Sequence, residues 1–296
     1  MTAITYSPRR PRFRRPSTHR SARAVAVALL LTVTACGEPG DRTRLDGTVH
    51  IGGKIDQPGF ALHSEHTDRG FEVDLAAYLG EQIGFKSKFH DVVSAKRERT
   101  LIEGESELVI ATYSITPERD ETVDFVGPYF VTRQGFLVAE DYQGIKGTKD
   151  VAGKSLCTVE GSTSENVALP PKTTLHMETD YSTCVRKVQQ GDVDAVFTDE
   201  ALLYGYVEQH KNSKAPLKVV PDVSYGSFNR YGIGLQEGWQ GDCKKLRNAL
   251  RTYLTEEWAR DVKAQLPALV DAYPGTWENR FRPDPQDLNK YSSCEE

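Results

Sequence analysis

The segment around Arg119 places an arginine and several hydroxyl groups where they could bind an anion together. Thr116 and the proline after it predict the start of a helix, because a hydroxyl can cap the first turn and proline fits the first helical position. Arg119 then lies in the positive first turn, which disfavours a cation unless an anion is near. Thr112 and Ser114 add hydroxyl groups just before this helix. Two roles follow for Arg119: an ion pair with Asp124 or a neighbouring Glu, or a clamp for an anionic ligand.

The elements that must position this segment alternate between strands and helices. In the first part of the chain we predict strands at 48–51, 85–89 and 108–111, and helices at 71–80 and 94–103. This alternation predicts an α/β sheet, in which ligands bind at the carboxyl ends of strands. Lys54 and Ser114 both follow such strands.

The later part of the chain shows the same alternation. We predict strands at 155–159, 194–197, 217–220 and 231–235, helices at 181–189 and 239–254, and a polar segment from there to residue 294. Residues 160–164 read Glu-Gly-Ser-Thr-Ser, and glycine followed by hydroxyl residues after a strand can form an anion nest. Such turns are common in proteins, so this one is a candidate anion site because of its position and not because of its sequence alone. Asp199 follows another strand and could cap a helix, bind a cation, or do both.

The first 35 residues are typical of an export signal. Residues 9–23 are rich in arginine, and residues 24–33 form an apolar run that is too short to span a bilayer. The run ends in Val-Thr-Ala-Cys at Cys36, which resembles a bacterial lipobox, in which the cysteine is diacylated and becomes the N-terminus. An ordinary signal peptide with a chance cysteine is the alternative. Residues 36–44 would form a polar tether.

Composition argues against several classes of function. Seven of the 37 basic residues and none of the 42 acidic residues lie in residues 1–35, so the remaining chain has a net charge of −12. A chain this acidic is a poor nucleic-acid binder. The four later cysteines lack zinc-site spacing, and four cysteines in an exported chain allow three disulfide connectivities. We expect neither a metal nor a cofactor.

The segment T-Y-S-I-T-P-E-R-x-x-x-V-D-F-x-G-P-Y resembles the ligand-binding signature of the amino-acid-binding proteins of ABC importers (solute-binding protein family 3). Four further segments are similar to glutamate-binding lipoproteins of actinobacterial importers: I-G-x-K-x-D-Q-P-G, G-F-x-V-D, C-T-V-x-G-S-T and V-D-A-V-x-T-D. The resemblance covers about residues 48–260. It implies an α/β, two-lobed, periplasmic-binding-protein-like (type II) fold with the ligand cleft between the lobes.

The resemblance also implies roles for individual residues. Arg119 and Ser114 would hold the α-carboxylate of an amino acid from the first lobe. Ser162 and Thr163 would approach the same carboxylate from the second lobe. Asp199 would take the α-ammonium group, aided by the carbonyl group of the residue at position 112. Bidentate arginine–carboxylate geometry suits the first task, and a carboxylate suits the second.

The side-chain pocket has three candidate residues. Lys54 lies where the similar glutamate binders have a lysine, and the alternative is a solvated loop lysine. Arg97 is a second candidate unless it lies on the surface of its helix. Glu160 departs from the small residue that this group has there, and its carboxylate would disfavour an acidic ligand. We therefore expect a polar amino acid: glutamate, aspartate, glutamine or asparagine.

The family-like arrangement inserts one lobe into the other. We expect residues 45–136 and 232–296 to form the first lobe and residues 137–231 the second, with hinges near 134–140 and 229–234. Cysteines that are neighbours within each lobe would pair, which joins Cys157 to Cys184 and Cys243 to Cys294.

The resemblance implies a lipid-anchored monomer on the outer face of the cell membrane that delivers its ligand to an ABC transporter permease. It implies no enzymatic activity. One alternative is a sensor module that signals ligand occupancy to a membrane receptor. A second alternative is a cyclohexadienyl dehydratase-like enzyme on the same fold, for which Glu160 is the obvious acid/base candidate.

Overall fold

A computed structural model describes residues 43–64 and 67–294 of the 296-residue chain. The predicted signal peptide at 1–35, the predicted lipidation site Cys36 and the predicted tether, apart from its last two residues, lie outside the described residues. Within the described ranges, no helix is both long and apolar enough to cross a membrane.

The predicted strands and helices all form in the first part of the chain, and the short strands β2, β3 and β4 add to them before the first helix. The strands are β1 (Gly47–Gly53), β2 (Asp56–Gln57), β3 (Ala61–His63), β4 (Asp68–Arg69), β5 (Phe85–Asp91), β6 (Leu108–Val109) and β7 (Asp124–Ala139). The helices are α1 (Phe71–Ile83), α2 (Arg97–Ile102) and α3 (Pro117–Asp120). The Thr116 hydroxyl accepts the Arg119 N–H at 3.3 Å, which confirms the predicted helix start.

The later part contains more regular structure than the sequence predicts. The strands are β8 (Ser155–Val159), β9 (Thr174–Glu178), β10 (Ala195–Asp199), β11 (Leu217–Val219) and β12 (Tyr225–Leu235). The helices are α4 (Tyr181–Gln190), α5 (Glu200–His210), α6 (Gln240–Glu256), α7 (Trp258–Gln265), α8 (Pro267–Ala272), α9 (Trp277–Phe281) and α10 (Leu288–Tyr291). The prediction of a plain polar segment after residue 254 is therefore wrong, because short helices with buried aromatic residues fill it.

Nine of the strands form a mixed sheet in the order β5-β1-β6-β12-β7-β10-β8-β9, with β11 paired to β7. The short strands β2, β3 and β4 form a second, antiparallel sheet. On one side of the pair β7–β12 the strands β5, β1 and β6 run parallel to one another. On the other side β10, β8 and β9 are also parallel. The long antiparallel strands β7 and β12 thus connect two α/β halves.

The predicted hinge at 229–234 lies within β12, and that at 134–140 covers the end of β7 and the residue after it. Asn229 pairs with Thr132, and Arg230 pairs with Val131. Successive side chains of a strand point to opposite faces, so neighbouring residues within β7, and within β12, contact different parts of the protein. The boundaries of the two lobes remain predictions, and the terms "first lobe" and "second lobe" below refer to the predicted boundaries.

Two disulfides tie helices to the rest of the fold. Cys157 is bonded to Cys184, with Cα atoms 5.4 Å apart, and joins β8 to α4. Cys243 is bonded to Cys294, with Cα atoms 5.3 Å apart, and fastens the end of the described chain to α6. These are the predicted pairs. Trp258 on α7 anchors the same region, since its indole N–H donates to the Tyr129 carbonyl at 2.8 Å.

Candidate functional site

Arg119 lies in α3 with 13% of its side chain exposed, and it reaches across to the second lobe. Its guanidinium donates to the Ser114 carbonyl at 2.8 Å and to the Gly161 carbonyl at 2.8 Å. Its acidic partner is Glu98 on α2, at 3.2 Å, and the pairing with Asp124 considered above does not form. Burial and the neighbouring positive charge of an arginine on α2 lower the Arg119 pKa to about 10. A partly buried cation of this kind is suited to receive an anion.

Arg97 is the second guanidinium of this region and is only 2% exposed. The alternative that it lies on the surface of its helix is therefore wrong. It donates to the Ala111 carbonyl at 3.0 Å and to the Gly161 carbonyl at 3.0 Å. Arg97 and Arg119 both lie over the Tyr113 ring, 4.6 and 5.1 Å from its centroid. The guanidinium groups of the buried Arg97 and the partly buried Arg119 thus both donate to the Gly161 carbonyl oxygen.

The predicted anion nest follows β8 as expected, but its first N–H is already engaged. Gly161 has φ = 72°, and its N–H donates to the Glu165 carboxylate at 2.7 Å. The Thr163 hydroxyl accepts from Gln134 at 3.3 Å and from Asn229 at 3.0 Å. Ser162 next to it is buried. In this conformation the nest therefore contributes side-chain hydroxyls more than backbone N–H groups.

Asp199 ends β10 inside a hydrogen-bond network. Its carboxylate accepts the Tyr231 hydroxyl at 2.7 Å and the Asn229 amide N–H. It occupies the N-cap position of α5, as the helix-cap alternative expects, but its side chain makes no capping bond. Burial raises its pKa to about 6, against the opposing effect of the two hydrogen bonds. Such a carboxylate gains free energy from an arriving cation.

Thr112 is held from several directions by buried side chains. Its φ of 44° is unusual for a residue other than glycine. Its N–H donates to Glu72 at 2.6 Å, and its hydroxyl donates to Gln57 at 3.1 Å. Burial raises the Glu72 pKa to about 7. Ser114, two residues on, is buried and bridges to Tyr231 of β12.

Lys54 is 2% exposed, so the solvated-loop alternative is wrong. Its ammonium group lies 3.2 Å from Asp56 and 3.4 Å from the Thr179 carbonyl, and 5.6 Å from the centroid of the Tyr181 ring. Glu160, by contrast, is exposed. The two predicted pocket cations are therefore buried, and the carboxylate that would disfavour an acidic ligand faces solvent.

Several residues of the site escaped the sequence analysis. Glu72 lies in the motif G-F-x-V-D, and Gln57 lies in D-Q-P-G. A polar residue in an otherwise apolar or turn-forming segment was the signal that could have identified each of them. Asn229 and Tyr231 gave no such signal, because their role depends on the pairing of β12 with β7. Gln134 was included only as part of a hinge.

The arrangement joins a cationic side to an anionic side through a short chain of contacts. Arg119 bonds to Gly161, Thr163 follows two residues later, and Asn229 bridges Thr163 to Asp199. Groups of opposite charge at the two ends can hold the two charges of a zwitterion. For the residues covered by the structure, no cluster of three or more His, Cys, Asp or Glu side chains could hold a metal ion.

Comparisons with known proteins agree with this geometry. The family model of bacterial extracellular solute-binding proteins, family 3, matches residues 49–272. A glutamate-binding protein, GluB, of Corynebacterium efficiens is 36% identical over 234 residues, which are 73% of this chain and 80% of the relative. A glutamine-binding protein of Geobacillus stearothermophilus is 33% identical over 217 residues, which are 70% of this chain and 80% of the relative.

Solved structures agree as well. An ancestral arginine-binding protein bound to arginine has a TM-score of 0.67 and 29% identity, and the match covers 75% of this chain and 99% of that one. The two-lobed fold class predicted from the sequence is thereby confirmed. By the extent of these matches, the chain belongs to the bacterial extracellular solute-binding proteins, family 3.

Proposed function

We propose that this protein binds a polar amino acid outside the cytoplasm and delivers it to the permease of an ABC importer. The observation that carries the proposal is the pair of the partly buried Arg119 and the buried Asp199, which lie on opposite sides of one connected network. The hydrogen-bond partners of Asp199 carry no positive charge. The hydrogen-bond acceptors of Arg119 are uncharged carbonyl groups, and Glu98 is its one contacting carboxylate among the described residues. An amino acid brings one charge for each end.

The proposed roles follow from the chemistry of each group. Arg119 forms a two-pronged contact with the α-carboxylate, and the hydroxyl of Ser114 adds a donor from the same segment. Ser162 and Thr163 donate to the same carboxylate from the second lobe. Asp199 accepts the α-ammonium group.

The carbonyl of Thr112 completes the ammonium site. Its neighbouring N–H is fixed by Glu72 at 2.6 Å, which sets the direction of the backbone there.

The buried cations of the pocket favour an acidic side chain. Arg97 donates to backbone carbonyl oxygens, and among the described residues no carboxylate accepts a hydrogen bond from it. A buried charge is most stable when a counter-ion accompanies it. Lys54 adds a second cation, although Asp56 neutralises part of it. We therefore rank glutamate and aspartate above glutamine and asparagine, in line with the relative that is a glutamate-binding protein.

A thermal-shift screen of the twenty amino acids tests the ligand class, because a ligand that binds only the folded state raises the melting temperature. The Arg119→Lys variant tests the clamp. Lysine keeps the charge but loses the fork, which costs about 2–5 kcal/mol, or roughly 30-fold or more in Kd. Arg186→Lys, at an exposed arginine of α4, is the matched control. Calorimetry showing affinity within twofold of wild type for Arg119→Lys would remove Arg119 from the clamp.

The proposal includes a lipid anchor at Cys36, a tether at 36–44 and a monomeric protein on the outer face of the membrane. It rests on the apolar run that ends in Val-Thr-Ala-Cys. Cys36→Ser should release the protein into the medium. An unmodified mature N-terminus by mass spectrometry would contradict the anchor, and a doubled mass in analytical ultracentrifugation would contradict the monomer.

Closure of the lobes on the ligand is part of the same proposal. No single lobe holds both ends of an amino acid, because Arg119 and Asp199 belong to different lobes. Binding should therefore bring the lobes together by bending within β7 and β12. Small-angle scattering with an unchanged radius of gyration at saturating ligand would argue for a rigid cleft.

Neither alternative gains support from a specific contact. An enzyme of the dehydratase kind needs an acid/base in the cleft, and Glu160 is exposed. We therefore propose a binding protein without enzymatic activity. A sensor would use the same clamp, so it differs only in its membrane partner, and co-purification with a permease rather than a receptor decides between them.

A further inference from the structure

A cavity of about 440 Å³ lies against the long strands β7 and β12, away from the network of Asp199. Its walls come from β7, from β12, from Glu200 at the start of α5, and from residues 279–284 and Asp287 of the C-terminal segment. Arg133 and Arg230 are among the lining residues. The volume is within the range that small ligands occupy.

The alternation of side chains on β12 separates this cavity from the amino-acid site. Asn229 and Tyr231 bond to Asp199. Arg230 stands between them and must point to the other face of the strand. On β7, Gln134 bonds to Thr163, and Arg133 before it points the opposite way. The same two strands therefore carry amino-acid-site residues on one face and arginines on the other.

Arg133 and Arg230 are diagonal neighbours on that second face. Arg230 is paired with Val131, so Arg133, two residues further along β7, lies on the same side of the sheet. Diagonal neighbours of an antiparallel pair have Cα atoms about 7–8 Å apart, which long side chains can bridge. One small anion can therefore contact both guanidinium groups.

Neither of these two guanidinium groups has an anionic partner in the described part of the chain. Arg133 lies 3.9 Å from the centroid of the Phe228 ring, and Arg230 lies 4.6 Å from that of Tyr291. The Nε atom of Arg230 is buried and has no hydrogen-bond acceptor among the described residues. The other arginines of the wall differ, since Arg280 pairs with Glu200 at 2.9 Å.

Arg282 in the same wall is also neutralised, by Glu278 at 3.2 Å. Asp284 and Asp287 line the cavity as well, but neither forms an ion pair with Arg133 or Arg230 in the described residues. The cavity therefore contains two arginines whose charge is not matched by a contacting carboxylate. This stands out in a chain whose charge without residues 1–35 is −12.

We propose that this cavity binds a small oxyanion, a carboxylate or a phosphate, between Arg133 and Arg230. The planar fork of arginine matches both kinds of anion, and stacking on Phe228 and Tyr291 holds the forks in place. The orphan Nε–H of Arg230 gains an acceptor when the anion binds.

The anion also strengthens amino-acid binding, because both sites share β7 and β12. The cavity is formed in the same conformation in which Arg119 contacts Gly161 across the cleft. An anion that fits it stabilises that conformation, and the coupling between the two sites is reciprocal. This second claim rests on the proposed function, whereas binding of the anion does not.

Calorimetric titration with inorganic phosphate and, separately, with malonate tests anion binding and distinguishes the two sources. The titrations use the Arg119→Lys variant as well as the wild-type protein, so that anion binding in the amino-acid site is recognised. The test variant is Arg133→Gln with Arg230→Gln, and Arg186→Gln is the matched control at an exposed arginine. Melting temperatures check that each variant is folded.

We expect one of the two anions to bind wild type, Arg119→Lys and Arg186→Gln alike, and to bind the double variant at least about tenfold more weakly. Arg133→Lys, which keeps the charge, should lose less. Binding that survives in the double variant, or no binding of either anion, overturns the site. In wild type, saturating anion should raise amino-acid affinity roughly fivefold or more. An unchanged amino-acid affinity, with the anion bound, overturns the coupling alone.

Discussion

Replacing Gly205 by alanine should hold the lobes apart and weaken ligand binding. Gly205 lies on α5 of the second lobe, and a Cβ atom there would lie 1.8 Å from the Pro58 carbonyl oxygen of the first lobe. Ordinary contacts begin at 3.4 Å, so the two segments would have to separate by 1.6 Å at this point, the difference between 3.4 and 1.8 Å. The backbone of Pro58 cannot rotate aside as a side chain could.

The separation would also break contacts next to Gly205. The Tyr206 hydroxyl donates to the Asp56 carbonyl at 2.9 Å, and a further 1.6 Å takes it beyond hydrogen-bonding distance. Overpacking costs about 1–3 kcal/mol, and a lost hydrogen bond costs about 0.5–1.5 kcal/mol. Together these costs amount to about 1.5–4.5 kcal/mol against the closed form, so we expect Kd to rise by about tenfold or more.

The lobes themselves should stay folded in the Gly205→Ala variant. Alanine inside a helix is favoured over glycine by about 0.8–1 kcal/mol, so α5 gains helix propensity. The melting temperature without ligand should therefore not fall. Gly147→Ala is the matched control, because a Cβ atom there meets only Asp150, at 3.9 Å. Calorimetry with the amino acid found in the screen measures both variants. A lowered melting temperature with unchanged affinity would refute the reasoning, since Gly205 and Pro58 would then belong to one rigid body.

Four further results are expected. Amino-acid affinity should fall as pH drops through about 6, because Asp199 must be ionised to hold an ammonium group, and calorimetry across pH 5–8 measures this. Without ligand, the free energy of unfolding should instead rise as pH falls from about 7 toward 4, because burial raises the pKa of Asp199 and Glu72 above their values of 3.8 and 4.5 in the unfolded chain; an opposite slope in urea melts would contradict those pKa directions. Lys54→Met should weaken glutamate more than glutamine, and equal losses would remove Lys54 from the side-chain pocket. Replacing Cys157 and Cys184 together by serine should lower the free energy of unfolding by about 3–4 kcal/mol, and urea melts within 1 kcal/mol of wild type would contradict this.

Local chemistry made part of the site predictable from the sequence. Thr116 and Pro117 determine where α3 begins. Because Arg119 follows within four residues, this helix start also places Arg119 in the first turn. Hydrogen bonds of this range depend on neighbours that the sequence displays directly. The strands that precede Ser114 and end at Asp199 were predictable for the same reason, because short apolar runs bounded by polar residues indicate buried strands.

Long-range pairing made the rest unpredictable. Glu98 on α2 contacts Arg119 on α3 through the tertiary fold, and no spacing in the sequence encodes that contact. The partners of Asp199 are some thirty residues away on β12, and a shift of one residue in its pairing with β7 would turn them to the other face. Lysine is usually exposed, so the burial of Lys54 was expected only from the resemblance.

The C-terminal helices were missed for a different reason. Trp258, Trp277 and Phe281 are buried, but they lie on helices of eight residues or fewer. So short a helix shows the helical period for about two turns at most, which is too little to separate it from a polar loop. Ring stacking between Trp258 and Trp277, with centroids 5.7 Å apart, stabilises these helices against the sheet instead.

The position of β12 determines the order in which this protein can fold. β12 is the strand inserted between β6 and β7, and its Gly234 pairs with Val109, far back in the chain. Until residue 235 has emerged, β6 and β7 are neighbouring edges without their shared partner, and exposed edges invite pairing with other chains. The strands β8, β9 and β10 do not depend on β12 for their pairing, because they pair among themselves and with β7. A nascent or translocating chain therefore completes its middle first and its beginning last, and truncations before β12 should yield aggregates rather than a stable N-terminal fragment.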